Sequence, residues 1–281
     1  MIIEKGGDKS MRDLVLETFV FAFTSFYDSI TEAVSILTGG LRTGNNASMY
    51  KLVTDTNKFV EGVALSFISL LFLVDLIQNT LLKVDELRWE DVIKAMLKLL
   101  MAKSIVGYIV FFLEATYSMI GKSILNMSGG INVTDEADKI RELFDNLIPT
   151  GGGIIASFQQ IAFFCMNILT YIGMMLLGIV VKVMAWGRML EVYVLLAISP
   201  IAMGFCPWSG TSDVPKRFVL SFIGVCLQGL VMIVCCKMYM ALPPITTTSG
   251  VAATAQLLVN GCVLGYALVN SSKWAKQLVG M

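Results

Sequence analysis

Polar residues recur along positions 11–38 at helical spacing. At about 100° per residue, Asp13, Glu17, Thr24, Asp28, Thr31, Glu32 and Ser35 fall in one sector, while Leu14, Val15, Phe19, Phe23, Phe26, Ile30, Val34 and Leu37 lie mostly away from it. This spacing predicts an amphipathic helix stopped by Gly39 and Gly40, with Phe21 alone breaking the pattern. The polar face is acidic, whereas helices lying on membranes usually carry lysine and arginine there, so docking onto protein is the expectation.

The pattern changes after a polar connector at 41–56, LRTGNNASMYKLVTDT. A first apolar segment covers 59–82, but its uncharged core, 62–74, has only 13 residues. A free-standing span needs about 20, so Glu61 and Asp75 must be tolerated by neighbours. A second segment begins amphipathically at Trp89, carries Lys94, Lys98 and Lys103, and runs to Ile120. With a turn centred near Leu87 the two form a hairpin. Asp75 and Lys98 then stand at similar distances from the bend, which predicts that they share a depth and pair.

Positions 121–150 form a polar insertion with Gly129 and Gly130, an acidic run from Asp135 to Glu142 and a short helical pattern over 137–147; it is too small for a domain. No charge occurs in the 31 residues 151–181, the clearest membrane segment in the chain. VKVMAWGRMLEVYVLLAISPIAMGF follows at 181–205, with Lys182, Arg188, Glu191 and Pro200. As one helix, 151–205 would extend about 80 Å against a hydrocarbon core of about 30 Å. A reversal is therefore expected at Trp186 and Gly187, with both cations at a membrane edge. Arg188 would reach Glu191 at i+3, and Pro200 would kink or end the second helix. A further span, 218–240, holds Gln228 and Lys237 and closes at Pro243 and Pro244. The last, 251–269, carries Gly261 and Gly265 in small-xxx-small spacing, a pattern for close helix packing.

The 281 residues are 56% hydrophobic and 15% charged, with zero formal net charge and mean hydropathy +0.75. Soluble domains are about 25% charged. The fold class is all-α: a polytopic helical membrane protein of five to six transmembrane helices plus the N-terminal amphipathic helix. Its parts are helix and connector (1–56), hairpin (57–120), soluble loop (121–150), helical cluster (151–270) and tail (271–281). Glu17 interrupts the first apolar stretch and no small-x-small site follows Phe26, so a cleaved signal peptide is not expected.

Composition also narrows the chemistry. Charge balance leaves no basic field for nucleic acid. The chain contains no histidine, which removes HExxH metal sites and His-assisted nucleophiles. Six cysteines lie in or beside apolar runs without ligand spacing and read as packing, as do 17 scattered methionines. Gly121-Lys122-Ser123 resembles the end of a phosphate-binding loop, but the glycine needed five positions earlier is Thr116. Asn46, Asn126 and Asn132 begin N-x-S/T triplets, a pattern common by chance. No catalytic residue, metal site or cofactor site is indicated; a bound phospholipid is compatible with such a chain.

Three blocks carry a resemblance to a known family: DVIKAMLKLLMAKSIVGYIVFFLEA at 91–115, with Lys98, Lys103 and Glu114; WGRMLEVYVLLAISPIAMG at 186–204, with Arg188, Glu191 and Pro200; and RFVLSFIGVCLQG at 217–229, with Gln228. In this order, over the C-terminal two-thirds, the chain resembles the TrbL/VirB-type polytopic inner-membrane subunits of type IV secretion systems of conjugative elements. The resemblance implies a non-enzymatic subunit of a bacterial cytoplasmic membrane, forming a homo-oligomeric ring, a pentamer. It would work with other secretion membrane subunits and ATPases, amid membrane lipids, with DNA and relaxase as transient cargo. It is silent on residues that touch the cargo.

The residues alone agree in class. Glu61 and Asp75 on one segment, and Lys94, Lys98 and Lys103 on the next, would be costly in lipid and suit burial against copies of the same chain. The competing reading is a small channel or secondary transporter with these charges along a pathway, but no inverted repeat or matched pair of broken helices supports it. The resemblance places the N-terminus and the 121–150 loop outside, and the basic turns at 83–98 and 182–188 inside. Arg42, Lys51 and Lys58 would then lie outside, against the positive-inside rule.

Overall fold

The structure, a computed structural model, describes residues 11–42, 46–78, 89–128, 141–142, 154–208, 211, 213–240 and 250–280. Among these are six long helices: α1 (Met11–Thr38), α2 (Ala47–Leu76), α3 (Trp89–Ser128), α4 (Ile154–Gly204), α5 (Asp213–Met240) and α6 (Gly250–Val279). No strand occurs among the described residues. Four stretches are long and apolar enough to cross a membrane: Ala47–Leu76, Val92–Asn126, Ile168–Gly204 and Asp213–Tyr239. The protein is a polytopic all-α membrane protein.

The helices contribute to two compact units, one of 1–36, 127–186 and 231–271, the other of 37–126, 187–230 and 272–281. In the first, α1 buries the face its periodicity defines: Phe19, Phe23, Phe26 and Ile30 are at most 1% exposed, while Asp13, Glu17, Asp28 and Glu32 face outward. Phe19 meets Phe164 edge-on at 6.2 Å, and Phe26 meets Tyr239 at 5.6 Å. The acidic amphipathic helix is thus docked on protein. Phe21, the residue that breaks its pattern, is exposed.

In the second unit Ile68, Ala102, Val106 and Trp208 form a buried cluster, with Leu65, Phe72 and Leu99 against it. Phe67, Leu70 and Leu73 on α2, with Tyr108, Phe112 and Met119 on α3, remain exposed. Large apolar side chains turned outward are the expected lining toward hydrocarbon, where burial in protein brings little hydrophobic gain.

Several boundaries differ from the sequence reading. Helix α2 begins at Ala47, inside the polar connector, and α3 continues past Ile120 to Ser128. Helix α6 continues through the expected tail to Val279, where Gly280 at φ +77° supplies the left-handed stop. The polar insertion falls largely outside the described residues, as do the bend near Leu87 and the prolines 243 and 244.

The largest correction concerns α4. It is one helix of 51 residues, helical through Trp186 and Gly187, so the expected membrane-edge turn at Lys182–Arg188 does not exist. Nor does Pro200 end it. A glycine inside a helix costs only about 1 kcal/mol relative to alanine. Opening a turn would unsatisfy several backbone groups, each worth several kcal/mol away from water. The assignment of that turn to the inner membrane face falls with it.

Gly261 and Gly265 meet α4 within the first unit. A Cβ at Gly261 would lie 2.6 Å from Leu177 Cδ1 and 3.3 Å from Met174 Sδ, and one at Gly265 would lie 3.0 Å from Leu177 Cδ2. The glycines therefore permit close packing. Gly261→Ala needs only a shift of the Leu177 end, whereas Gly261→Leu is expected to cost about 1–3 kcal/mol by overpacking. Thermal unfolding in mild detergent checks this, and a leucine variant as stable as wild type would contradict it.

Candidate functional site: charges and polar contacts within the spans

Four ion pairs stand out among the described residues. Asp75 on α2 and Lys98 on α3, expected to pair from their distance to the bend, stand 3.2 Å apart, with the carboxylate the more enclosed partner. Arg188 and Glu191 pair along α4 at i,i+3. Two further pairs had no sequence forecast. Lys182 reaches Glu32 of α1 at 2.6 Å, and Arg42, after α1, reaches Glu114 of α3 at 2.6 Å. The Glu114 hydrogen bond and its charge raise the Arg42 pKa, favouring the cation. Arg42 also lies over the Tyr50 ring, 5.3 Å from its centre.

Pro200 has no N–H, so the carbonyl four residues earlier, at Leu196, loses its helical donor. The buried Asn57 side chain of α2 supplies one, its Nδ2 donating to Leu196 O at 2.8 Å, and Ser199 Oγ donates to the same carbonyl at 2.9 Å. This is why the helix survives its proline. Asn57, not singled out in the sequence, ties α2 to α4 at that point. Similarly, Tyr117 Oη donates to Leu37 O at 3.0 Å and Tyr193 Oη to Leu41 O at 3.3 Å. Leu37 is in the last turn of α1, where carbonyls lack helical donors, and Leu41 lies in the turn that follows it.

Around Asn57 lies a polar stripe. Tyr50, Thr54, Asn57, Lys58 and Glu61 follow i, i+4, i+7, i+8, i+11 spacing and line a cavity of about 190 Å³ beside Gly107 of α3. The periodicity was visible in the sequence, but it began inside a stretch whose mean polarity reads as connector. Glu61 is half-buried there and Lys103, one turn before Gly107, is exposed. Neither has a hydrogen bond or ion pair among the described residues, and the same holds for Lys237 on α5. Lys94 is exposed and Gln228 is buried, 2% exposed. Gly187 faces open space. No group of three or more cysteine or carboxylate residues that could hold a metal occurs among the described residues.

The described membrane helices thus hold ion pairs, a polar stripe and a proline-released carbonyl that is hydrogen-bonded. A family model described as TrbL/VirB6 plasmid conjugal transfer like protein matches residues 32–200, well over half of the chain. The chain belongs to this TrbL/VirB6-like conjugal transfer family. The match begins at Glu32 and ends at Pro200, so it encloses all four pairs, the polar stripe and the Asn57 contact. It takes in the block at 91–115 and most of that at 186–204, while 217–229 and the glycines of α6 lie beyond it. No curated protein and no solved structure matches the chain. TrbL/VirB6-like membership and four apolar helices make this a multi-pass membrane subunit of a conjugal transfer system.

Proposed function

We propose that this TrbL/VirB6-like chain is a non-enzymatic subunit of the cytoplasmic-membrane platform of a bacterial conjugative type IV secretion system. It assembles with copies of itself as a ring, a pentamer, alongside the other membrane subunits and ATPases, and DNA with its relaxase passes as transient cargo. The observation that supports self-assembly is that charges of opposite sign on neighbouring helices remain after the intramolecular ion pairs are counted. Glu61 on α2 and Lys103 on α3 lie within apolar spans and have no ionic partner among the described residues. An isolated charge inside a bilayer costs at least about 2.5–3.5 kcal/mol on insertion scales, so partners on a neighbouring copy would stabilise both.

Chemical cross-linking and native mass measurement in mild detergent test this. The wild type should run as a ring-sized oligomer. Glu61→Gln or Lys103→Gln should weaken association by roughly tenfold to a hundredfold, as expected for about 1.4–2.8 kcal/mol, and the Glu61→Lys, Lys103→Glu swap should recover part of it. A monomeric wild type that conducts ions or drives solute flux would replace this reading with the small channel or secondary transporter, whose pathway the polar stripe would line.

A further inference from the structure

A second cavity of about 480 Å³ opens in the second unit, lined by the α1–α2 connection at Gly39 to Arg42 and by α3 from Phe111 to Leu125. Its size falls within the roughly 300–1,000 Å³ of small-molecule sites. Its chemistry is divided. Leu41, Phe111 and Leu125 make an apolar wall, while Arg42, Glu114 and Lys122 place charge at it. Glu114 offsets one cation, so these three groups leave a net positive charge of one. Glu114 takes Arg42 Nε at 3.4 Å and Nη2 at 2.6 Å, which leaves other guanidinium N–H groups available. Lys122 is exposed and has no ion pair or hydrogen bond among the described residues.

The place of this cavity along the span narrows its occupant. Lys98, paired with Asp75, and Lys122 are separated by about 36 Å along α3 at 1.5 Å per residue. That exceeds the roughly 30 Å hydrocarbon thickness. The Asp75–Lys98 pair and the Arg42–Lys122 cavity therefore mark opposite edges of the same span. A half-apolar cavity with a net cation at the headgroup level fits a molecule with one anionic head and apolar tails. The exposed rings of Phe111 and Phe112 continue the apolar wall.

We infer that the cavity between the α1–α2 connection and α3 is a binding site for an anionic glycerophospholipid, its phosphodiester held by Arg42 and Lys122 and its acyl chains laid along Phe111 and Leu125. The site rests on the multi-pass membrane reading and is independent of ring formation or DNA transfer. Glu114 holds Arg42 in place and disfavours a second negative charge. The net charge of the site favours phosphatidylglycerol over zwitterionic phosphatidylethanolamine.

Native mass spectrometry of the full chain, purified in mild detergent and given each lipid, tests the assignment. Wild type should retain phosphatidylglycerol in preference to phosphatidylethanolamine, and millimolar inorganic phosphate should not displace it. At about fivefold per charge near a membrane surface, Lys122→Gln should lower phosphatidylglycerol occupancy about fivefold and Lys122→Glu about twenty-five-fold. Lys122 makes no ion pair or hydrogen bond within the described chain, so its variants should keep wild-type helical content by circular dichroism. Unchanged occupancy in both Lys122 variants, equal retention of the two lipids, or displacement by inorganic phosphate would overturn the proposal. A second copy of the chain bound there in place of lipid would also overturn it.

Discussion

Asp75→Ala and Lys98→Ala should each destabilise the protein by about 1–3 kcal/mol, and the double variant should cost no more than the worse of the two. Each single change removes an ionic contact within the α2–α3 hairpin, whose partners stand 3.2 Å apart. Removing one member of a partly enclosed pair is costly chiefly because of the charge it leaves behind, and removing both relieves that cost. Partial exposure of Lys98 keeps the figure below that of a fully enclosed pair. Reversible unfolding in mixed micelles, read as a double-mutant cycle, gives the coupling directly. Additive losses would show that the two charges do not act on one another.

The Asn57 contact yields the second large effect, with a distinctive dependence on background. Asn57→Leu should cost about 1–3 kcal/mol, because it removes a buried donor from the carbonyl that Pro200 releases. Ser199 still donates to that carbonyl, which places the expectation in the lower half of this range. In a Pro200→Ala background the new N–H at position 200 can restore the helical bond to Leu196, and the penalty for Asn57→Leu should shrink. The same unfolding assay distinguishes the outcomes. An equal penalty in both backgrounds would mean that Asn57 stabilises the fold by packing alone.

These two contacts also show what could be read in advance. Asp75 and Lys98 were legible because a hairpin converts sequence distance from the bend into depth, and both residues are rare charges in apolar segments. Arg188 and Glu191 were legible because i,i+3 proximity is a property of any helix. The buried face of α1 followed from its 3.6 periodicity. Asn57 and Leu196, 139 positions apart, meet only through tertiary packing, and a backbone carbonyl leaves no residue-type signal. Lys182 was noticed, but its partner Glu32 lies on a helix whose docking partner periodicity does not name. The unbroken α4 was not legible because bilayer thickness does not limit how long a helix can be, and a lone glycine is only a weak helix breaker. The stripe from Tyr50 to Glu61 was hidden by reading average polarity before periodicity.

The charges of the spans therefore divide into those matched within the chain and those left for neighbours. Asp75, Lys98, Glu114, Lys182, Arg188 and Glu191 belong to the first group. Glu61, Lys103 and Lys237 belong to the second, and on the first two the proposed ring depends. The central claim, a platform subunit of a conjugative apparatus, is tested most directly by the frequency of plasmid transfer from donor cells in which the coding sequence is deleted in frame. Transfer should fall to background, return with the wild-type chain, and return only partly with Glu61→Gln. Wild-type transfer frequency in the deletion strain would contradict the account.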